Sequence, residues 1–181
     1  GARCAERLGR EFGEIGLPVV SGLARGIDAF AHRGTVLSRG CAIAVLACGL
    51  ERIYPVSNSV LAGKIMETGG CLAGEYLPGE QPLRFHFPQR NRLISGLARS
   101  VIVVEAPEKS GALITADFAL EQGRDLFVVR ETLASPRGSG SRALHEQGAI
   151  AVERARDVLS SWGCTESDMS PKNGTGIRPP G

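Results

Sequence analysis

The sequence predicts a doubly wound α/β fold on a mostly parallel sheet. Three observations predict it. Short apolar runs alternate with helical patterns, an order that implies parallel strands joined by right-handed crossovers. One run, Ala42-Ile-Ala-Val-Leu-Ala47, holds no polar residue, which suits a strand covered on both faces. Glycine turns follow the runs, as in Ser21-Gly22 and Cys48-Gly49. In such sheets ligands sit outside the carboxyl ends of the strands.

Residues 2–15 read as a helix with Leu8, Phe12 and Ile15 on one side, stopped by Gly16. Leu17 to Val20 is a short strand. A helix opens near Gly26 and runs toward Leu37, with Ile27, Phe30, Ala31 and Gly34 at the spacing of a buried stripe. After the 42–47 strand a loop leads to Asn58, a suitable N-cap for a helix to about Thr68, which Gly69-Gly70 ends. Leu72 to Tyr76 reads as a short strand, and Leu77 to Pro88 as a proline-rich loop. Gln89 to Ala98 reads as helix, Val101 to Val104 as strand, Gly111 to Gln122 as helix and Leu126 to Val129 as strand. A Gly/Ser loop at 135–141 leads to a helix ending near Gly148, followed by a strand at 149–152 and a helix at 157–162. From Gly163 onward the composition predicts a disordered tail, 163–181, outside a single domain of residues 1–162.

The 181 residues suffice for one cored domain, and no apolar run is long enough to span a bilayer. A net charge of +2 does not announce a nucleic-acid binder, so any basic site must be local. Aromatics at 5% argue against broad base-stacking platforms. Five cysteines, an odd count without a C-x-x-C pair, predict a reduced cytoplasmic protein. The chain opens at Gly1 within a helical pattern, which reads as a fragment or a processed form.

Three segments carry candidate chemistry. In Val19-Val-Ser-Gly-Leu-Ala-Arg-Gly-Ile-Asp28, a strand passes through a glycine turn into a helix. Unpaired N–H groups and the helix dipole favour an anion there, with Ser21, Gly22, Arg25 and Gly26 as candidate contacts. Gly22 admits a ligand close to the backbone, and Arg25 supplies a planar cation suited to phosphate. An ordinary turn with a solvated arginine is the alternative. His86-Phe-Pro-Gln-Arg-Asn-Arg92 follows Phe85 and combines two rings with two arginines. Phe85 and Phe87 can stack on bases, and Arg90 and Arg92 can hold phosphates; or the arginines pair with acids such as Glu75 or Glu105 and the rings are core. Lys109-Ser-Gly-Ala-Leu-Ile-Thr115 repeats the strand–turn–helix logic, with Lys109, Ser110, Gly111 and Thr115 as candidates against a plain Ser N-cap.

Other signals are weaker. Gly138-Ser-Gly-Ser-Arg-Ala143 matches G-x-G-x-x-A, but comes well after its strand and lacks a following ribose-binding acid, so a nicotinamide or flavin site is rejected. There is no P-loop, and His32, His86 and His145 lack metal-ligand spacing; no cofactor and no metal is expected. Cys48 reads as a buried structural cysteine. Asp28 and Glu75 suit either acid–base work or pairing with Arg25 or Arg92.

Ser21-Gly-Leu-Ala-Arg-Gly-Ile-Asp28 with Ala31-His32, Tyr54-Pro55, Phe87-Pro-x-Arg-Asn-Arg92, Ser110-Gly-x-x-x-Thr-Ala116 and Gly148-Ala149 together resemble the DNA processing protein A family, DprA or Smf, over residues 1 to about 160. The resemblance implies an extended Rossmann-like domain that binds single-stranded DNA, protects incoming DNA in natural transformation and loads the RecA recombinase, without catalysis. It implies that Arg25 lies in a basic DNA pocket, that Ser21-Gly22 and Ser110-Gly111 lie near phosphates, and that the region of Phe85, Phe87, Arg90 and Arg92 adds pocket residues. A homodimer, through a sheet edge or a terminal helix, is a further expectation. The resemblance places the family's first strand before Gly1, so the sheet is expected to lack a strand near its centre, and neither an N-terminal helical extension nor a C-terminal winged-helix domain is expected within these residues. Arg130-Glu131 replaces the usual Pro-Gly, and Gly140-Ser-Arg142 replaces Gly-x-Asn. Arg142 either strengthens a phosphate contact or is solvated. The rival reading is a nucleotide or nucleoside-monophosphate hydrolase, or a nucleotide sensor, of the lysine-decarboxylase-like Rossmann group. Its P-G-G-x-G-T-x-x-E motif is missing.

Overall fold

The computed structural model describes residues 1–164. Its elements are α1 (Ala2–Glu14), β1 (Val19–Ser21), α2 (Ile27–Leu37), β2 (Ala42–Val45), α3 (Ser59–Glu67), β3 (Cys71–Ala73), α4 (His86–Leu97), β4 (Ser100–Val103), α5 (Gly111–Glu121), β5 (Asp125–Val129), α6 (Ser139–Glu146), β6 (Ile150–Val152) and α7 (Ala155–Ser161). All strand pairs are parallel, in the orders β1-β2-β3 and β4-β5-β6. The α/β alternation is therefore as read. Among the described residues the strands form two three-stranded ladders, with no pairing between β1 and β4. Apart from Gly163 and Cys164, the predicted tail lies outside the described residues.

Alternating side chains place helices on both faces of the second sheet. Val104, Phe127, Val129 and Val152 pack with Leu8 and Phe12 of α1 and Val158 and Leu159 of α7. Val103 and Val128 face the other way, toward Ala116 of α5 and Leu144 of α6. In the first sheet, Ala42, Ala44 and Leu46 pack with Ala62 and Ile65 of α3. Val19 of β1 and Ile102 of β4 both rest on the cluster that α1 enters, so apolar packing spans the two ladders. α1 lies tight on α2 because both carry glycine at the crossing: a Cβ on Gly9 would run into the carbonyl of Ala31, and one on Gly34 into that of Glu6.

Element ends differ from the sequence reading for local reasons. β2 closes at Val45, although Leu46 N–H still reaches Ala73 O at 2.7 Å; Ala47 O instead faces Nδ1 of His86. β3 ends at Ala73, so Glu75 and Tyr76 are loop residues. α4 begins at His86, earlier than read, with Pro88 in its first turn, where a missing N–H costs no helical bond. α7 begins at Ala155 because Asp157 accepts from the N–H groups of Glu153 and Arg154. Asn58 does stand at an N-cap position, but its side chain does not cap; it reaches across to the β1–α2 turn. No helix among the described residues is long and apolar enough to cross a membrane.

Candidate nucleic-acid interface

The turns that follow the strands meet along the carboxyl edge of the sheets. The first is Gly22 to Gly26, between β1 and α2. Asp28, in the first turn of α2, folds back and accepts from the N–H groups of Gly22 at 3.0 Å and Ala24 at 3.2 Å. Asn58 donates from Nδ2 to the carbonyls of Leu23 at 2.8 Å and Ala24 at 3.3 Å. From below, Arg90 of α4 donates from Nη1 to Gly22 O at 2.9 Å and also to Val45 O. Three polar side chains thus fix the turn. Arg25 at its crest is exposed and makes no hydrogen bond or ion pair among the described residues. Gly26 is the N-cap of α2, with φ at +88°, a backbone shape that favours glycine.

Gly22 has a different role from the one read in the sequence. It is buried, its N–H is bound to Asp28, and a Cβ there would lie 2.5–2.7 Å from the Arg90 guanidinium. Its missing side chain makes room for Arg90 rather than for a ligand. Arg90 itself is 4% exposed. Burial lowers its pKa, with the Asp28 carboxylate opposing. It lies beneath the turn, out of reach of a phosphate in solvent. Ser21, the last residue of β1, is half-buried.

The second turn, between β4 and α5, exposes Lys109 and Gly111. A Cβ on Gly111 would meet nothing within 4 Å, so the space over the start of α5 is open. Ser110 is the N-cap, yet its hydroxyl neither caps nor finds another partner among the described residues. Thr115 turns its hydroxyl back to Gly111 O at 3.4 Å. Asn91, next to Arg90 on α4, donates to Gly111 O at 3.1 Å. Arg92 pairs with Glu75 after β3, which is the pairing alternative raised for it from sequence.

The rings divide. Phe85 is 56% exposed, while Phe87 is half-buried against Tyr54, with centroids 5.6 Å apart. His86 is buried between them, stacked on Tyr76 at 4.1 Å. The 135–141 segment also reaches the edge, though its last three residues are helix. Ser135 donates to Glu105 at 2.6 Å, Ser139 accepts from Glu108 N–H, and buried Ser141 accepts from Ala106 N–H. The G-x-G-x-x-A match is therefore a buried helix start. Arg142 is exposed, as its solvated alternative has it, and it also donates to Leu133 O at 2.6 Å and Ser135 O at 3.0 Å.

His32, wholly buried on α2, is near Asp28 and Arg90 under the first turn. Burial lowers its pKa to about 4, with Asp28 opposing, so it is neutral at pH 7. Cys48 is buried, and burial raises its thiol pKa, which fits the structural reading. No cluster of metal-ligating side chains occurs among the described residues. Sequence reasoning missed Asn58, Asn91 and the turn-holding part of Asp28. The turn-holding asparagines had no local pattern to reveal them, since their partners lie 35 and 20 residues away in the chain.

A parallel α/β domain with its polar turns gathered at the carboxyl edge is a Rossmann-like domain, the class whose ligands sit at that edge. Residues 1–163 match the DNA recombination-mediator protein A family, and the chain belongs to it. Protein Smf of Escherichia coli is 44% identical over 160 residues, which are 86% of this chain and 43% of that protein. The X-ray structure of DNA processing protein A from Streptococcus pneumoniae superposes with a TM-score of 0.79 at 42% identity, over 88% of this chain and 56% of that one. DNA processing protein A from Helicobacter pylori, reported for its single-stranded DNA binding mode, gives 0.79 at 27% identity, over 89% of this chain and 73% of that one. The chain spans about half the length of the curated relatives it matches.

Proposed function

We propose that this chain is a single-stranded DNA-binding module whose carboxyl edge takes the sugar-phosphate strand. One observation carries the reading: the β1–α2 and β4–α5 turns expose a cation each, Arg25 and Lys109, at helix starts held to one helix, α4, by adjacent residues. The H. pylori relative, similar in fold and reported for single-stranded DNA binding, supports it. Arg25, Gly26, Lys109, Ser110 and Gly111 face the strand; Phe85 offers a ring to a base; Ser21, Phe87, Arg92 and Thr115 border the site. Gly22 and Arg90 support it from beneath. Protection of incoming DNA, loading of RecA and homodimer formation belong to the same proposal through the family.

The carboxylates favour binding over hydrolysis. Asp28 is occupied by turn N–H groups, Glu75 by Arg92 and Glu105 by Ser135. In each of them at least one oxygen is held by a donor of the chain itself. The test is titration with oligo-dT at two salt concentrations beside binding and turnover of AMP. Affinity for oligo-dT that falls with salt, without AMP turnover, is expected; tight AMP binding with turnover and no oligo-dT affinity overturns the proposal.

A further inference from the structure

Two neighbouring residues of α4 are buried polar side chains that donate outward to different turns. Arg90 reaches Gly22 O and Val45 O, at the ends of β1 and β2. Asn91 reaches Gly111 O, at the start of α5. The two turns belong to sheets that share no ladder among the described residues, so strand pairing does not fix their separation. One rigid helix does. Both side chains are over nine-tenths buried, and neither is free to meet a solvent phosphate. Gly22 completes the fit, since any side chain there would strike the guanidinium.

The geometry points to Arg90 and Asn91 as positioning residues that hold the Arg25 turn and the Lys109 turn in one spatial relation, so that a single strand of nucleic acid engages both. This rests on the single-stranded DNA reading above. Arg90 acts through the first turn and Asn91 through the second, so their effects are separable.

Double-mutant cycles on oligo-dT affinity test it, because residues that act independently combine to within about a factor of two. In the otherwise unaltered chain, Arg25→Ala and Lys109→Ala each weaken binding about tenfold. With Arg90→Met in place, the Arg25→Ala factor shrinks below about threefold while the Lys109→Ala factor persists. With Asn91→Leu in place, the pattern reverses. If thermal unfolding shows that Arg90→Met does not fold, Arg90→Lys, which keeps the charge and one carbonyl bond, carries the same cycle. Full persistence of the Arg25→Ala factor overturns the inference, since Arg90 then does not act through that turn. Equal shrinkage of both factors also overturns it, as the mark of general loosening. Absence of oligo-dT binding by the unaltered chain overturns the DNA reading, and this inference with it.

Discussion

At the scale of single residues, position on the rim separates exposed arginines from buried ones. Arg25 and Arg90 look alike in the sequence, as arginines inside glycine- and asparagine-rich motifs. One is exposed without a partner among the described residues, and the other is buried against two carbonyls. Arg25→Ala is expected to weaken oligo-dT binding alike across base sequences and to make the salt dependence shallower by about 0.7 in log–log slope, the value for one phosphate contact on a single strand. Filter binding of oligo-dT, oligo-dA and mixed oligomers across salt checks this; an effect confined to one base contradicts it. His32 gives a pH prediction. Its pKa is about 4 when folded against 6.5 in a free side chain. Between those values the unfolded chain holds the extra proton, so stability is unaffected above pH 6.5 and falls as pH drops toward 4, by at most about 3 kcal/mol. Urea unfolding between pH 5 and 6.5 is expected to show a flatter pH dependence in His32→Leu than in the unaltered chain; equal slopes contradict this.

At the scale of elements, local pattern was legible and partnership was not. Short apolar runs mark every strand, because a strand covered on both faces is apolar along its length. Strand and helix ends shifted where a distant partner decided them. Asp157 folding back lengthened α7, and the first-turn proline of α4 hid three residues of helix. Asn58, Asn91 and Arg90 hold the turns through bonds that no spacing rule encodes. β5 is the most buried strand of its sheet, with Phe127, Val128 and Val129 all at 0% exposure. Phe127→Ala is expected to cost about 3–5 kcal/mol, read by chemical denaturation, because the α1–α7 layer cannot collapse into the space. A loss below about 1 kcal/mol would mean that this layer is not packed as described.

At the scale of the whole molecule, the fold explains why the turns after β1 and β4 lie at one edge. Parallel strands all point one way, so their following turns accumulate at one edge. That gathering was legible from the order of elements alone. What sequence could not show was which members of each motif face solvent: the S-G-L-A-R-G turn presents Arg25 and Gly26 and buries Gly22, while R-N-R of α4 turns inward at its first two positions. In the proposed function, DNA lies along this edge. Hydrogen–deuterium exchange with and without oligo-dT tests it most directly. Slower exchange is expected at residues 23–27 and 109–112, with none at the opposite-edge turns 38–41, 122–125 and 147–149. Protection at those opposite-edge turns, with the first two segments unchanged, would contradict it.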